Sequence, residues 1–273
     1  TQTKNMKILM INKTDSVGGA AQVMTNLSNG LRSQGHQVKS LVRRKLTQDT
    51  QVFELPNPPL TGFLRKIIGR DVPIVLEHWL NAPGLSSEIL NHPLIDWADV
   101  IHCHNLHGNY FQLENLISLS KKKPLVWTWH DWWPVTGHCA TPQICKHKCD
   151  CLHNDIWHKK MNIYKHSQLN VVVPSLDMKN NIKIADLTLN LIHNGVVSVD
   201  LSNYSKKQLR QKLGLPLDQK IIMVNTYGGK HLDKGWQFIV DLQKRLPQYH
   251  WLLVGQKNRY LDQALLQQYM KAS

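Results

Sequence analysis

No run of eighteen or more apolar residues occurs in the 273-residue sequence, so it holds no segment that reads as a membrane-spanning helix. Its first residues also lack a charged stretch followed by an apolar one. The apolar run from Ile8 to Ile11 is too short for a secretory leader. A cytoplasmic setting is the resulting expectation. A Gly-x-Gly-x-x-Gly fingerprint is missing, which removes the dinucleotide-cofactor reading. Acidic residues are scarce, with 19 Asp and Glu against 33 Lys and Arg, for a net charge of +14. That excess needs anionic partners. No zinc-finger spacing, RNA-recognition aromatic motif or helix-turn-helix pattern accompanies it, which argues against nucleic acid. Phosphorylated small molecules and an anionic membrane surface remain. Short basic clusters at Arg43-Arg44-Lys45 and Lys121-Lys122-Lys123 read equally well as solvated surface.

What is present is an alternation of strands and helices. The apolar run Lys7 to Asn12 (KILMIN) has the look of a buried parallel strand. The loop Asp15-Ser16-Val17-Gly18-Gly19 follows. Val23, Met24, Leu27 and Leu31 then fall at helical spacing, and Gly35 ends the helix. Gln37 to Val42 is a second strand. The stretch 45–95 is rich in Pro and Gly and reads as loops and short helices. Strands are expected again at 99–102, 124–128, 170–173 and 189–193, with helices at about 111–120, 155–166 and 177–185. After a break near 197–204 the pattern restarts: strand 220–225 (KIIMVN), the Gly228-Gly229 loop, a helix carrying Phe238, Ile239, Leu242 and Leu246, and strand 249–254. The expected fold is α/β, with two Rossmann-like, doubly wound parallel-sheet domains at 1–198 and 199–273. Two strands do not make a stable doubly wound sheet, so the second domain is expected to be incomplete.

Four groups of residues carry chemistry. A Gly pair between strand and helix, as at Gly18-Gly19, lets a ligand approach backbone N–H groups at a helix start, where an anion is favoured; the competing reading is a tight turn. Gly228-Gly229 repeats the device beside Lys230 and Lys234, which would neutralise a diphosphate or else are plain surface lysines. In Trp129-His130-Asp131-Trp132-Trp133-Pro134, His130 comes at a strand's C-terminal end, where open α/β sheets bind ligands. A His there can hydrogen-bond a sugar hydroxyl, and aromatic neighbours can pack on a sugar ring; a structural His in an aromatic cluster is the alternative. His102 and His104 end another strand on the same rim. Finally, Cys139, Cys145, Cys149 and Cys151 lie within thirteen residues. In a cytosolic chain they suggest a structural zinc pinning a long loop, although the spacing fits no standard motif; free or redox-paired thiols compete. Cys103 reads as core.

Together these segments resemble glycosyltransferase family 4, the retaining enzymes of the GT-B fold, and within it bacterial exopolysaccharide or colanic-acid-type transferases. MKILMINKTDSVGGAAQVMTNLSNGLRSQGHQV resembles the family's opening strand, Gly-Gly loop and Gly-His turn. VWTWHDWWPVTGHC is similar to a subgroup's His-Asp-x-Trp-Pro loop with its cysteines. VVVPS and LIHNGV are similar to the strand ends closing the first domain, and KGWQFIVDLQKRLPQYHWLLVG to the start of the donor domain. The resemblance implies transfer of a sugar from a nucleotide diphosphate sugar to a hydroxyl of a lipid-linked or saccharide acceptor, with retention. His130 and Asp131 would act at the reacting centre, with His104 and Trp132 on the acceptor side. Gly18 and Gly19 would approach the donor phosphates or the acceptor, and Lys230 and Lys234 the diphosphate. No catalytic cofactor is implied: no Asp-x-Asp pair is present to hold a metal on the diphosphate, so lysines and helix N-termini are expected to hold the leaving group. A peripheral position on the inner face of the plasma membrane would suit the charge. NTYGGKHLDKG departs from the family in lacking an Arg before Lys234, with Lys230 the candidate substitute. The family's paired glutamates would fall beyond Ser273, so the donor domain is expected to be cut short. A non-catalytic acceptor- or partner-binding remnant is the alternative.

Overall fold

The computed structural model describes residues 5–55, 89–108, 110–141, 155–185, 187–198, 200–225 and 236–254. Its contacts divide the chain into two units, Thr1–Val197 and Ser198–Ser273.

The first unit is built on seven parallel strands: β1 (Lys7–Thr14), β2 (Gln37–Arg44), β3 (Val52–Glu54), β4 (Val100–Cys103), β5 (Leu125–Thr128), β6 (Leu169–Val173) and β7 (Leu189–Leu191). They lie in the order β3-β2-β1-β4-β5-β6-β7. The order therefore reverses direction between β1 and β4, which makes that junction the switch point where open parallel sheets hold ligands. Helices α1 (Gly19–Ser33), α2 (Pro93–Trp97), α3 (Asn115–Lys122), α4 (Asp155–Lys165) and α5 (Leu176–Asn181) join the strands.

Strand β1 sits at the centre and is buried on both faces. Ile8 and Met10 join Met24 of α1 with Val38, Val42 and Val52 in a smaller cluster. Leu9 and Ile11 point the other way, into the main core with Leu41, Ile95, Ile101, Leu116, Leu119, Trp127 and Trp129. Alternation with both faces covered is why the strand reads as an unbroken apolar run.

The structure shifts some expected boundaries. The buried face of α1 is Ala20, Ala21, Met24 and Ser28, while Leu27 faces solvent. Small residues let the helix lie close on the sheet, and this turns Leu27 outward. The third helix begins at Asn115 rather than near Phe111, which is buried ahead of it, and α5 stops at Asn181. Strand β3 arises inside the stretch read as loops and short helices, of which α2 is one such short helix; residues 56–88 of that stretch lie outside the described ones.

The second unit, taken by itself, contains α6 (Lys206–Lys212), β8 (Ile221–Asn225), α7 (Trp236–Arg245) and β9 (His250–Val254). Strands β8 and β9 pair in parallel, Ile221 opposite His250 and Asn225 opposite Val254. Helix α6 is started by a capping box: Gln208 N–H donates to Ser205 Oγ and Ser205 N–H to Gln208 Oε1. Among the described residues no helix is long and apolar enough to cross a membrane.

Candidate functional site

The candidate site lies at the C-terminal ends of β1, β4 and β5. Asn12 of β1 is buried and ties this rim together. Its Oδ1 accepts from Asn105 N–H at 3.1 Å and its Nδ2 donates to Thr14 O at 3.0 Å. His104 N–H continues the β1–β4 ladder by donating to Ile11 O at 2.9 Å.

Three imidazoles meet on the rim. His102 and His104 rings stack with centroids 4.4 Å apart, and His104 Nδ1 lies 3.0 Å from His130 Nε2. His102 Nε2 is 2.8 Å from Thr128 Oγ1. His104 is only 1% exposed and sits behind the half-buried His130, so it reaches His130 rather than solvent. Burial disfavours the charged form. It pulls His102 down to about 4, helped by the neighbouring His130, and His130 down to about 4 against the opposing pull of the Asp131 carboxylate. His104 falls well below its usual value for the same reason, with both neighbouring histidines adding to it. All three rings are therefore neutral at pH 7.

Asp131 and Trp132 open a short 3₁₀ turn at Trp133–Val135. Asp131 Oδ1 accepts from Trp133 N–H at 2.9 Å, fixing the turn, and its Oδ2 lies 3.5 Å from His107 Nε2. Trp132 is half-buried against the core, and its N–H donates to Ala140 O at 3.1 Å. His104, His107, His130, Asp131 and Trp133 line a narrow crevice here.

On the other side of the switch point, Gly18 precedes α1 with φ 92° and ψ 162°, a region open in practice only to glycine. The helix start has no side-chain cap and no acidic residue in its first turn, which leaves its N–H groups and positive dipole end for a ligand. A Cβ at Gly18 or Gly19 would meet nothing within 4 Å, so the space in front is open.

Two residues with large structural roles carry no motif. Asp15 is buried and accepts from Leu46 N–H at 2.8 Å and from Thr47 N–H at 2.9 Å, fastening the Gly-Gly loop to the one after β2. Lys160 of α4 is 2% exposed. Its ammonium donates to Trp133 O at 2.7 Å and Thr136 O at 2.9 Å and lies 3.6 Å from the centroid of the Trp133 ring. One helical turn on, Tyr164 OH donates to Pro134 O at 2.8 Å. This face of α4 thus grips the backbone of the loop that carries His130 to Trp133. The one sequence signal for it is the i, i+4 spacing of two long polar side chains on an otherwise ordinary amphipathic helix.

Of the other predicted residues, Gly228, Gly229, Lys230 and Lys234 lie outside the described residues, as do Cys145, Cys149 and Cys151. Cys139 is half-buried, and its carbonyl accepts from Thr136 Oγ1 at 2.6 Å. Among the described residues no group of three or more His, Cys, Asp or Glu is placed to hold a metal ion. Cys103 is fully buried in the core, and burial pushes its thiol up.

Known proteins share this architecture. A glycosyltransferase from Rickettsia africae ESF-5 superposes with a TM-score of 0.55 at 15% identity, covering 99% of this chain and 65% of that one. The catalytic domain of starch synthase IV from Arabidopsis thaliana, bound to ADP and acarbose, superposes with a TM-score of 0.60 at 14% identity, covering 98% of this chain and 73% of that one. At such identities the likeness shows the fold alone, and it is the GT-B fold. In sequence, the "Putative colanic acid biosynthesis glycosyl transferase WcaC" of Escherichia coli (strain K12) is 38% identical over 68 residues, 20% of this chain and 17% of that protein. The chain thus spans less than two thirds of the length of both WcaC and the Rickettsia protein. The family model described as Glycosyltransferase Family 4 matches residues 17–198, from the Gly-Gly loop to the end of the seven-stranded unit. The chain belongs to glycosyltransferase family 4.

Proposed function

We propose that the protein moves a sugar from a nucleotide diphosphate sugar to a hydroxyl of a lipid-linked or saccharide acceptor, with retention, in the assembly of a cell-surface polysaccharide. The observation that carries this reading is the switch-point geometry of a family 4 chain: a neutral His130 at the end of β5, across from an uncapped α1 that starts at Gly18-Gly19. A neutral imidazole suits a sugar hydroxyl, and a bare helix N-terminus suits a phosphate. The ADP carried by the starch synthase neighbour and the polysaccharide role in the WcaC name support the donor class and the pathway.

In this reading His130 hydrogen-bonds the transferred sugar near its reacting centre, and Asp131 fixes the turn that orients it. Gly18 and Gly19 allow donor phosphate or acceptor to reach the α1 N–H groups. Lys230 and Lys234 hold the diphosphate as it leaves, so no catalytic metal is needed. Trp132 and the rim around His104 face the acceptor. The +14 charge favours a peripheral position at an anionic membrane, where a lipid-linked acceptor would reside. Cys139, Cys145, Cys149 and Cys151 would hold a structural zinc; metal analysis of the purified protein should then return about one zinc per chain, and a metal-free, fully folded protein removes that part.

The decisive experiment is calorimetric titration of UDP- and GDP-sugars into the protein and into His130→Ala. Loss of one hydrogen bond should weaken binding about 2- to 12-fold, the equivalent of about 0.5–1.5 kcal/mol. Absence of binding of both sugar nucleotides to the protein would overturn the assignment.

A further inference from the structure

The pair His104–His130 contains more information than a distance. The two rings are tilted by only 16°, with centroids 5.2 Å apart and Nδ1 of one 3.0 Å from Nε2 of the other. The N–H of one ring and the lone pair of its partner therefore meet nearly in the plane of both, as an imidazole–imidazole hydrogen bond requires. Both rings are neutral, so this bond holds one proton, which belongs to His104 Nδ1 or to His130 Nε2.

The other nitrogen of His104 decides between them. His104 Nε2 is buried and has no hydrogen-bond partner among the described residues. If His130 Nε2–H were the donor, His104 would carry its own proton on Nε2, leaving a buried N–H with nothing to receive it. If His104 Nδ1–H is the donor, Nε2 keeps only a lone pair. A buried N–H with no acceptor is rarer than an acceptor left unpaired, which favours the second arrangement. His130 then accepts at Nε2, and its single proton must sit on Nδ1. That nitrogen has no partner among the described residues, and its half-buried ring lines the crevice with Asp131 and His107.

We propose that His104 is a positioning residue that fixes His130 in the Nδ1–H tautomer, so that His130 meets its ligand as a hydrogen-bond donor. The backbone of His104 is itself held from two sides. Its N–H donates to Ile11 O, and its carbonyl accepts from Trp127 Nε1 at 2.7 Å, so the donor nitrogen is aimed by the central strands. The consequence is a selection rule for the crevice. An oxygen facing Nδ1 must accept: a sugar hydroxyl through its lone pair, or a phosphoryl oxygen. His130 does not take a proton through that nitrogen, so it is not a general base there. The identity of the ligand rests on the proposed sugar transfer; the tautomer does not.

The test is the two-bond ¹H–¹⁵N correlation spectrum of the ¹⁵N-histidine-labelled protein at pH 7, with His130 assigned by its loss in His130→Ala. The expected result is a protonated Nδ1 and a bare Nε2 on His130. In His104→Met, which keeps the backbone bonds and faces His130 Nε2 with a sulfur that can accept but not donate, His130 should move to the Nε2–H form, which a free imidazole also prefers. His104→Gln, whose amide can donate in place of the ring, should retain Nδ1–H. A wild-type His130 protonated at Nε2, or a tautomer unchanged in His104→Met, overturns the proposal. If His104→Met does not fold, the wild-type spectrum decides alone. The readout uses ligand-free protein, so failure of the sugar-transfer reading would leave it intact.

Discussion

Two segments of the chain read almost alike, KILMIN at 7–12 and KIIMVN at 220–225, and they sit in opposite surroundings. In β1, Leu9, Met10 and Ile11 have no exposed surface. In β8, Met223 is 67% exposed. The helices that follow repeat the contrast, with Met24 of α1 buried and Phe238 of α7 on the surface. The strand-forming pattern is the same, so the difference comes from neighbours. Strand β1 lies between β2 and β4 with apolar clusters on both faces, whereas among the described residues β8 pairs with β9. Local pattern selects the element, and the rest of the sheet determines how much that element stabilises.

The sharpest way to break this contrast is to truncate the equivalent methionines. Met10→Ala should cost about 2–5 kcal/mol, because the cavity opens in a sheet covered on both sides. Met223→Ala should change stability by no more than about 0.5 kcal/mol, as for other exposed positions. Urea unfolding followed by circular dichroism measures both. Equal losses would mean that Met223 is covered in solution and that the two strands are alike after all.

Much of the fold was legible because it depends on such local patterns. The strand starts at Lys7, Gln37 and Leu189 and the whole of α4 are set by apolar runs and helical spacing, and the alternation of element types required a parallel sheet. Leu27 was misplaced because helical spacing gives a face but not how closely the helix approaches; Ala20, Ala21 and Ser28 determine that. The site was partly legible. His104 comes straight after β4 and His130 two residues after β5, and their meeting follows from β4 and β5 being neighbours. Asp15 and Lys160 were silent because most of their partners are backbone groups, which leave no trace in residue type.

A second pair of positions extends the contrast to polar clamps. In the first unit, buried Lys160 collects the carbonyls of Trp133 and Thr136. In the second, the guanidinium of half-buried Arg210 collects those of Pro216, Leu217 and Gln219, shaping the approach to β8. Lys160→Met should cost about 1–3 kcal/mol, since it leaves buried acceptors unpaired, while water can replace much of what Arg210→Met removes, for a loss under about 1 kcal/mol. The pH dependence separates them further. Burial pulls Lys160 down to about 7 from 10.5, with Asp131 opposing. Between those values the unfolded chain binds the extra proton, so wild-type stability should gain from this residue as pH rises from about 7 toward 10. Lys160→Met should remove that gain and Arg210→Met should retain it. Identical slopes from pH 7 to 9 in wild type and Lys160→Met would show that Lys160 is not held out of water.

The smallest effect concerns two serine caps with the same chemistry. Ser175 Oγ accepts from Met178 N–H at 3.2 Å at the start of α5, and Ser205 Oγ accepts from Gln208 N–H at 3.2 Å at the start of α6. Helix α5 buries Met178 and packs on β6 and β7, whereas α6 buries no residue at all. A cap contributes roughly 0.5–2 kcal/mol, and the two helices should spend that loss differently. In Ser205→Ala the start of α6 loses its cap and has no buried residue to hold it, so its amides should exchange about threefold to tenfold faster while global stability stays put. In Ser175→Ala the buried Met178 keeps the helix in place, so the loss should appear in the global unfolding free energy and not as local opening. Amide exchange over 176–181 and 206–212 reads both outcomes at once. Faster local exchange in Ser175→Ala with unchanged global stability would show that α5 frays as freely as α6, and that a single buried side chain does not couple a short helix to the sheet beneath it.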